Sequence, residues 1–249
     1  MKPTVDVIIN PVCLRFRYDN DEIVYLFAAN PEQQLDRMEQ MLGVGPEDGP
    51  IFATNVGFLP VASTVLIRGE KTIIVDPGNH HIGNYAILQH ALKSRGLSYD
   101  DVDMVVTTHT HADHAGALLQ FKGLPWLLGR NELAGMAAIE GAPIVEAKKS
   151  MMGPVVELSD TDPQEVMPGV TSYPTPGHSP GHISLLVETD AGRVLINGDA
   201  TMLRCEYTER RFSQWYAPEQ LEQLHASLDR VQALKPDLVI PGHDRAFRP

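Results

Sequence analysis

Short apolar runs separated by turn residues recur along the chain, and several of them end in a histidine or an aspartate. Runs of this length that are rich in β-branched residues are typical of buried strands. We therefore predict strands, or strand-like runs, at residues 5–9, 61–67, 72–75, 104–106, 125–128, 170–173, 183–187, 193–196 and 238–240. A hairpin is predicted over residues 15–28, with its turn at Asp19-Asn20-Asp21.

Other segments carry apolar residues at helical spacing or the residues that start a helix. They predict helices at residues 31–42, 84–95, 113–121, 131–139 and 218–234, and a loop at 141–153. The first of these helices has Asn30 as its cap and Pro31 at its first position. A hairpin followed by an aspartate occurs at 61–76 and again at 183–199, which agrees with two similar βα halves that face each other.

The densest group of polar residues lies directly after the run 104–106. His109, His111, Asp113 and His114 fall within six positions. On an extended chain, residues two apart point to the same side, so His109 and His111 can hold one ion together. Asp113 and His114 lie beyond the turn and suit a second ion about 3.5–4 Å away. The alternative is a set of polar loop residues without a ligand role.

Two ions that share a bridging ligand need roughly seven protein groups. The further candidates are His178, after the run 170–173, Asp199, after 193–196, and His243, after 238–240. Each is a polar residue that follows an apolar run. We therefore expect all of them to meet at one edge of the core.

In this order, Asp76, the cluster at 109–114, His178, Asp199 and His243 resemble the five motifs of the metallo-β-lactamase superfamily. The segments 175–182, 197–199 and 241–244 are most similar to acyl-homoserine-lactone lactonases and glyoxalase II-type thioesterases. The resemblance implies an α/β fold, a four-layer αββα sandwich with the metals at the sheet edges. We expect one domain over residues 1–249. The segment 30–60 is expected to be a surface embellishment, a lid or a dimer contact.

The resemblance also implies a division of the ligands. His109, His111 and His178 would hold the first ion, and Asp113, His114 and His243 the second, with Asp199 as the bridge. Asp76 would accept the outer N–H of a ligand histidine. Two Zn²⁺ per chain are expected, although these donors also suit iron or manganese.

Two cations on one water would generate a hydroxide near neutral pH and would polarise a carbonyl group. We therefore expect a di-metal hydrolase that cleaves a small ester or lactone, with Asp113, Asp199 and His182 as catalytic residues. Similar lactonases carry a tyrosine where this chain has Met202. Tyr207 or His182 could protonate the leaving group instead, or His182 could only orient a loop.

Three alternatives stay open. The first is a glyoxalase II-type thioesterase, although the chain stops at Pro249 without the helical domain that binds glutathione in those enzymes. The second is an iron-dependent persulfide dioxygenase, which would need only one ion. A non-catalytic metal-binding protein is the third. Diiron flavoproteins carry glutamate at the position of His111, which argues against that branch.

Composition and charge indicate which classes of binding partner the chain disfavours. The formal net charge of -12 disfavours a nucleic-acid partner. The chain shows no secretory signal and no apolar run of about 18 residues, so we expect a cytoplasmic protein with no membrane contact and a small-molecule substrate. Residues 201–217 are rich in aromatic and large apolar side chains, including Trp215, and are expected to line an apolar pocket. His80 and His81 could also reach this pocket.

Overall fold

A computed structural model of the chain describes residues 2–19, 22–26, 56–78, 84–213 and 216–249. Within these ranges the strands are β1 (Thr4–Ile9), β2 (Val12–Asp19), β3 (Glu22–Leu26), β4 (Val56–Val61), β5 (Thr64–Arg68), β6 (Thr72–Val75), β7 (Met104–Val106), β8 (Trp126–Gly129), β9 (Val155–Leu158), β10 (Gln164–Met167), β11 (Val170–Pro174), β12 (Ile183–Thr189), β13 (Gly192–Gly198) and β14 (Leu238–Pro241). The helices are α1 (Asn84–Lys93), α2 (Ala112–Ala115), α3 (Glu132–Glu140), α4 (Ala142–Met151), α5 (Arg204–Glu209) and α6 (Pro218–Ala233), with 3-10 turns at Tyr99–Asp101 and Leu118–Phe121.

The described strands form three sheets. In the first, the order is β1-β5-β6-β7-β8-β9, and the strands from β6 to β9 run parallel. In the second, the order is β10-β11-β12-β13-β14, and only the pairing of β13 with β14 is parallel. The predicted hairpin at 15–28 is confirmed as β2 and β3, which join β4 in a smaller sheet.

Alternation along the strands divides the core into three layers. Leu66 and Ile74 face outwards from the first sheet and pack with Leu88 of α1, Met136 of α3 and Val145 of α4. Successive side chains of a strand point to opposite faces, so the neighbours of Leu66 and Ile74 point the other way.

Those neighbours pack between the two large sheets. Val65, Ile67 and Val75 of the first sheet contact a cluster that includes Leu185 and Ile196 of the second. On the outer face of the second sheet, Leu186, Leu195 and Val239 pack with Leu228 and Val231 of α6. Helices therefore cover both outer faces, and the predicted four-layer αββα sandwich is confirmed.

Three predicted elements were wrong. Residues 141–153 are not a loop, because α4 fills most of this segment. The helix predicted at 113–121 is instead the short α2 followed, after Gly116, by a 3-10 turn. The strand predicted at 61–67 is divided at Ala62 and Ser63, where the chain leaves β4 and enters β5 in a different sheet.

Several other predictions fall outside the described residues. These are the helix at 31–42 and the positions of His80, His81 and Trp215. In the part of the chain that is described, no helix has the length and apolar content needed to cross a lipid bilayer.

Candidate metal centre

The predicted ligands follow the ends of strands from both large sheets. His109 and His111 lie just after β7, and α2 presents Asp113 and His114. The second sheet contributes the other three: His178 lies between β11 and β12, Asp199 follows β13, and His243 follows β14. The structure brings all seven side chains together at the edge where these strands end.

The first group consists of His109, His111 and His178. Each residue offers one ring nitrogen, and these three nitrogens lie within 4.8 Å of one another. The Nε2 atom of His178 is 2.9 Å from Nδ1 of His111. His109 is fully buried, whereas the other two residues are half-buried.

The second group consists of Asp113, His114 and His243, again with donor atoms within 4.8 Å of one another. The Nε2 atom of His243 is 3.2 Å from Oδ2 of Asp113 and 3.4 Å from Nε2 of His114. This is the set that the sequence assigned to a second ion.

Asp199 lies between the two groups. Its Oδ1 atom is 3.2 Å from Nε2 of His114, and its Oδ2 atom is 3.4 Å from Nε2 of both His178 and His243. One buried carboxylate therefore contacts histidines of both groups, which is the position required of a bridging ligand.

Asp76 and Thr108 fix the inner side of the centre. Asp76 is buried, and its Oδ2 atom is 2.8 Å from Nδ1 of His114 and accepts a hydrogen bond of 2.7 Å from the Thr108 hydroxyl. Its Oδ1 atom accepts the Thr108 backbone N–H at 2.7 Å. A carboxylate in this position fixes the ring orientation and leaves Nε2 of His114 directed into the centre.

His182 is buried, and both of its ring nitrogens have partners. Its Nε2 atom accepts the Asp199 backbone N–H at 3.0 Å, and its Nδ1 atom is 2.8 Å from the Thr175 hydroxyl. Burial and then the charge of His178 hold the pKa of His182 well below its usual value. Of the two roles open to His182, these contacts favour positioning of Asp199 over proton donation.

The aromatic residues of 201–217 do not all face the centre. Tyr207 is buried with Leu228 and Phe247 beneath α6, and Phe212 packs against the same cluster. This packing beneath α6 favours a core role for Tyr207 and Phe212 over the expected roles of proton donor and pocket wall. Tyr216, by contrast, has its hydroxyl 2.8 Å from Nδ1 of His178. The aromatic density of residues 201–217 predicted a pocket position for Tyr216, but it did not indicate His178, 38 positions away, as its partner.

Glu132, the first residue of α3, is a residue that sequence reasoning missed. It is 1% exposed, and it accepts hydrogen bonds from Thr110, Ser179 and Gly181. Thr110 separates two histidines of the first group, and Ser179 follows the third.

The two groups differ in their electrostatics. Burial, helped by the neighbouring His111 and His114 and opposed by Asp199, lowers the pKa of His178 to about 4. Burial would also lower the pKa of His243, but Asp199 and Asp113 outweigh it and raise that pKa to about 10. Burial opposes ionisation of Asp199, yet His114, His243 and His178 hold its pKa well below the usual range. The centre therefore suits cationic occupants.

Buried polar atoms give an independent test of whether metal ions fit. Among the described residues, Nε2 of His109 and Oδ1 of Asp199 are buried without a hydrogen-bond partner. Buried polar atoms are rarely left unsatisfied. Both atoms belong to the group of His109, His114 and Asp199, whose donor atoms lie within 4.8 Å of one another. Nitrogen and carboxylate donors at these separations suit zinc, iron or manganese.

Comparison with known proteins agrees with this geometry. The sequence profile of the Metallo-beta-lactamase superfamily matches residues 56–243. An N-acyl homoserine lactonase of Bacillus thuringiensis is 31% identical over 155 residues, which cover 61% of this chain and 60% of that protein. One from Bacillus cereus is 34% identical over 161 residues, with the same coverage. The chain thus spans about 60% of the length of these curated relatives.

A solved structure of a quorum-quenching N-acyl homoserine lactone lactonase superposes with a TM-score of 0.62 at 27% identity and covers 76% of this chain and 81% of that one. The chain belongs to the metallo-beta-lactamase superfamily. The curated relatives named above, at modest identity, are N-acyl homoserine lactonases of the Bacillus genus.

Proposed function

We propose that this chain is a di-metal hydrolase that cleaves small esters or lactones. The observation that carries the proposal is the position of Asp199, whose carboxylate lies within 3.4 Å of histidines from both groups. A site built for a single ion does not need a carboxylate shared in this way.

The proposed first ion is held by His109, His111 and His178, and the second by Asp113, His114 and His243, with Asp199 between them. Zn²⁺ is the proposed metal, because imidazole and carboxylate are common zinc ligands. When bound, two such cations supply an activated water and a polarised substrate carbonyl.

The protein's own residues orient two of these histidines for binding. A histidine that binds through Nε2 carries its proton on Nδ1. Nδ1 of His114 faces Asp76, and Nδ1 of His178 faces the hydroxyl of Tyr216. Both outer protons therefore have an oxygen acceptor, and both Nε2 lone pairs point into the centre. His182 holds the backbone of Asp199 in place.

Two observations support the substrate class. The curated relatives are named N-acyl homoserine lactonases. The net charge of -12 disfavours phosphodiesters of nucleic acids.

Met202 lies beside the centre, where its backbone carbonyl accepts the backbone N–H of His243 at 2.9 Å. Its apolar side chain cannot donate a proton, so the proposal covers esters and lactones with good leaving groups most directly.

The test is a substrate panel on the zinc-loaded protein. It compares aryl esters, acyl lactones, thioesters, phosphodiesters and a β-lactam by kcat/KM. We expect the highest kcat/KM for an ester or a lactone, and loss of activity in the Asp199→Asn variant. The highest kcat/KM for a thioester would instead favour the glyoxalase II-type reaction. A preference for phosphodiesters, or full activity in Asp199→Asn, would refute the proposal.

A further inference from the structure

We propose that Glu132 is a positioning residue for the first ion, because it ties together the two loops that carry His109, His111 and His178. The inference rests on the proposed di-metal site. Glu132 itself lies on neither loop and is not one of the candidate ligands.

The contacts of Glu132 divide evenly between the loops. Its Oε2 atom accepts the backbone N–H and the hydroxyl of Thr110, both at 3.0 Å. Its Oε1 atom accepts the Ser179 hydroxyl at 2.5 Å and the Gly181 backbone N–H at 2.8 Å. Each carboxylate oxygen therefore holds one loop.

These bonds act close to the ligands. Thr110 is covalently joined to both His109 and His111, and Ser179 is joined to His178. A change in the position of either loop therefore moves ligand nitrogens directly. Hydrogen bonds to a charged group are worth more than neutral ones, and the burial of Glu132 protects them from water.

The backbone next to Glu132 packs closely against the loop of His178, which restricts where the Glu132 carboxylate can lie. A side chain at Gly181 would approach the Arg130 carbonyl oxygen to 2.1 Å, and one at Gly129 would approach the Gly181 carbonyl oxygen to 1.9 Å. The turn from β8 to α3, which leads into Glu132, therefore packs closely against the loop of His178. The carboxylate completes this contact and extends it to the loop of His109.

The second ion makes no comparable use of Glu132. The carboxylate of Glu132 contacts Thr110, Ser179 and Gly181, whereas Asp113, His114 and His243 come from α2 and from the end of β14. A defect at Glu132 should therefore be selective for the first ion. A residue that served stability alone would show no such selectivity.

The test is the Glu132→Gln variant, which keeps the side-chain volume but replaces one acceptor oxygen with an N–H donor that faces other donors. Zinc affinity is measured by competition with a chromophoric chelator, and metal content is measured after desalting. We expect first-ion affinity to fall about 10–100-fold, the usual cost of losing an outer partner of a metal ligand. The second ion should stay bound.

Two backgrounds assign the loss to one ion. Asp113→Ala leaves the first ion only, so adding Glu132→Gln should remove most of the remaining zinc. His111→Ala disables the first ion, so adding Glu132→Gln should leave zinc affinity unchanged. Equal losses in both backgrounds, or a lower melting temperature with unchanged zinc affinity, would overturn the inference.

Glu206→Gln is the matched control. Glu206 is also 1% exposed and also accepts two backbone N–H groups, but from Met202 and Leu203. It should leave first-ion affinity intact. Ser179→Ala, which deletes one donor and keeps the carboxylate, should weaken the first ion less than Glu132→Gln, and it carries the test if that variant does not fold. If the wild-type protein binds fewer than about two zinc ions per chain, the di-metal proposal itself is refuted.

Discussion

Replacement of Asp76 by asparagine tests whether this carboxylate, on the inner side of the metal centre, contributes to zinc affinity. Asp76 has φ of 49°, a left-handed conformation that asparagine also tolerates, so the backbone has no reason to move. The Oδ1 atom of asparagine can still accept the Thr108 N–H. The amide nitrogen then takes the place of Oδ2 and faces Nδ1 of His114.

The expected size of the effect follows from that contact. With a metal on Nε2, Nδ1 of His114 is a buried N–H donor, and in the variant it meets another donor. A buried donor without an acceptor costs about 1–3 kcal/mol. At about 1.4 kcal/mol per factor of ten, zinc affinity should fall roughly 10–100-fold, in line with the usual cost of losing an outer partner of a ligand.

The assay is chelator competition at fixed pH, with circular dichroism to confirm the fold. Asp103→Asn is the control, since Asp103 accepts the Thr72 N–H at 2.6 Å at the opposite end of β6 and is exposed. It should leave zinc affinity unchanged. Wild-type affinity and rate in Asp76→Asn would mean that Asp76 serves only the Asp-Pro-Gly turn.

Two further predictions concern the second group and a buried acid. Asp113→Ala should lower bound zinc to about one ion per chain and abolish hydrolysis; unchanged metal content would contradict the proposed second ion. Burial raises the pKa of Glu206 to about 8, well above the value of about 4.3 for an unfolded chain. The folded state thus keeps a proton that the unfolded chain releases, and the stability of the metal-free protein should fall between about pH 4.3 and 8. In urea unfolding, Glu206→Gln should remove that fall, and an unchanged slope would refute the assignment.

Local pattern was enough to predict which residues meet at the centre. His178, Asp199 and His243 each follow an apolar run, and such runs become neighbouring strands whose ends share one edge of a sheet. The alternation of inward and outward side chains along β5, β6, β12 and β13 likewise carries the information for the layers of the sandwich.

The elements that were wrong lacked such a pattern. In α4 only Val145 is buried, while Ile144 and Met151 are exposed, so the segment shows no apolar stripe. Pro143 was a signal for the start of α4. Gly141, two residues earlier, indicated a loop instead. Gly141 has φ of 94° and forms the junction between α3 and α4.

The roles of Glu132 and Tyr216 could not be predicted for a different reason. Glu132 contacts residues 22 and 47 positions away, and Tyr216 contacts a residue 38 positions away. The aromatic residues around Tyr216 indicated a pocket wall but not its hydrogen bond to His178. A glutamate at the start of a helix, such as Glu132, is also a common way to complement the helix dipole. Such roles depend on how separate loops pack.

The distribution of the candidate ligands over both sheets gives the centre a topological effect. Cys205 is a free thiol in the described part of the chain, so it contributes no covalent cross-link there. An ion held by both Asp113 and His243 would instead close a chain segment of more than a hundred residues. Cross-links over about 100 residues remove about 4.7 kcal/mol of chain entropy from an unfolded polypeptide in the loop-closure treatment of disulfides. The metals would thus act as reversible cross-links between the two sheets, and a chelator should lower the free energy of unfolding while the core between the sheets stays packed.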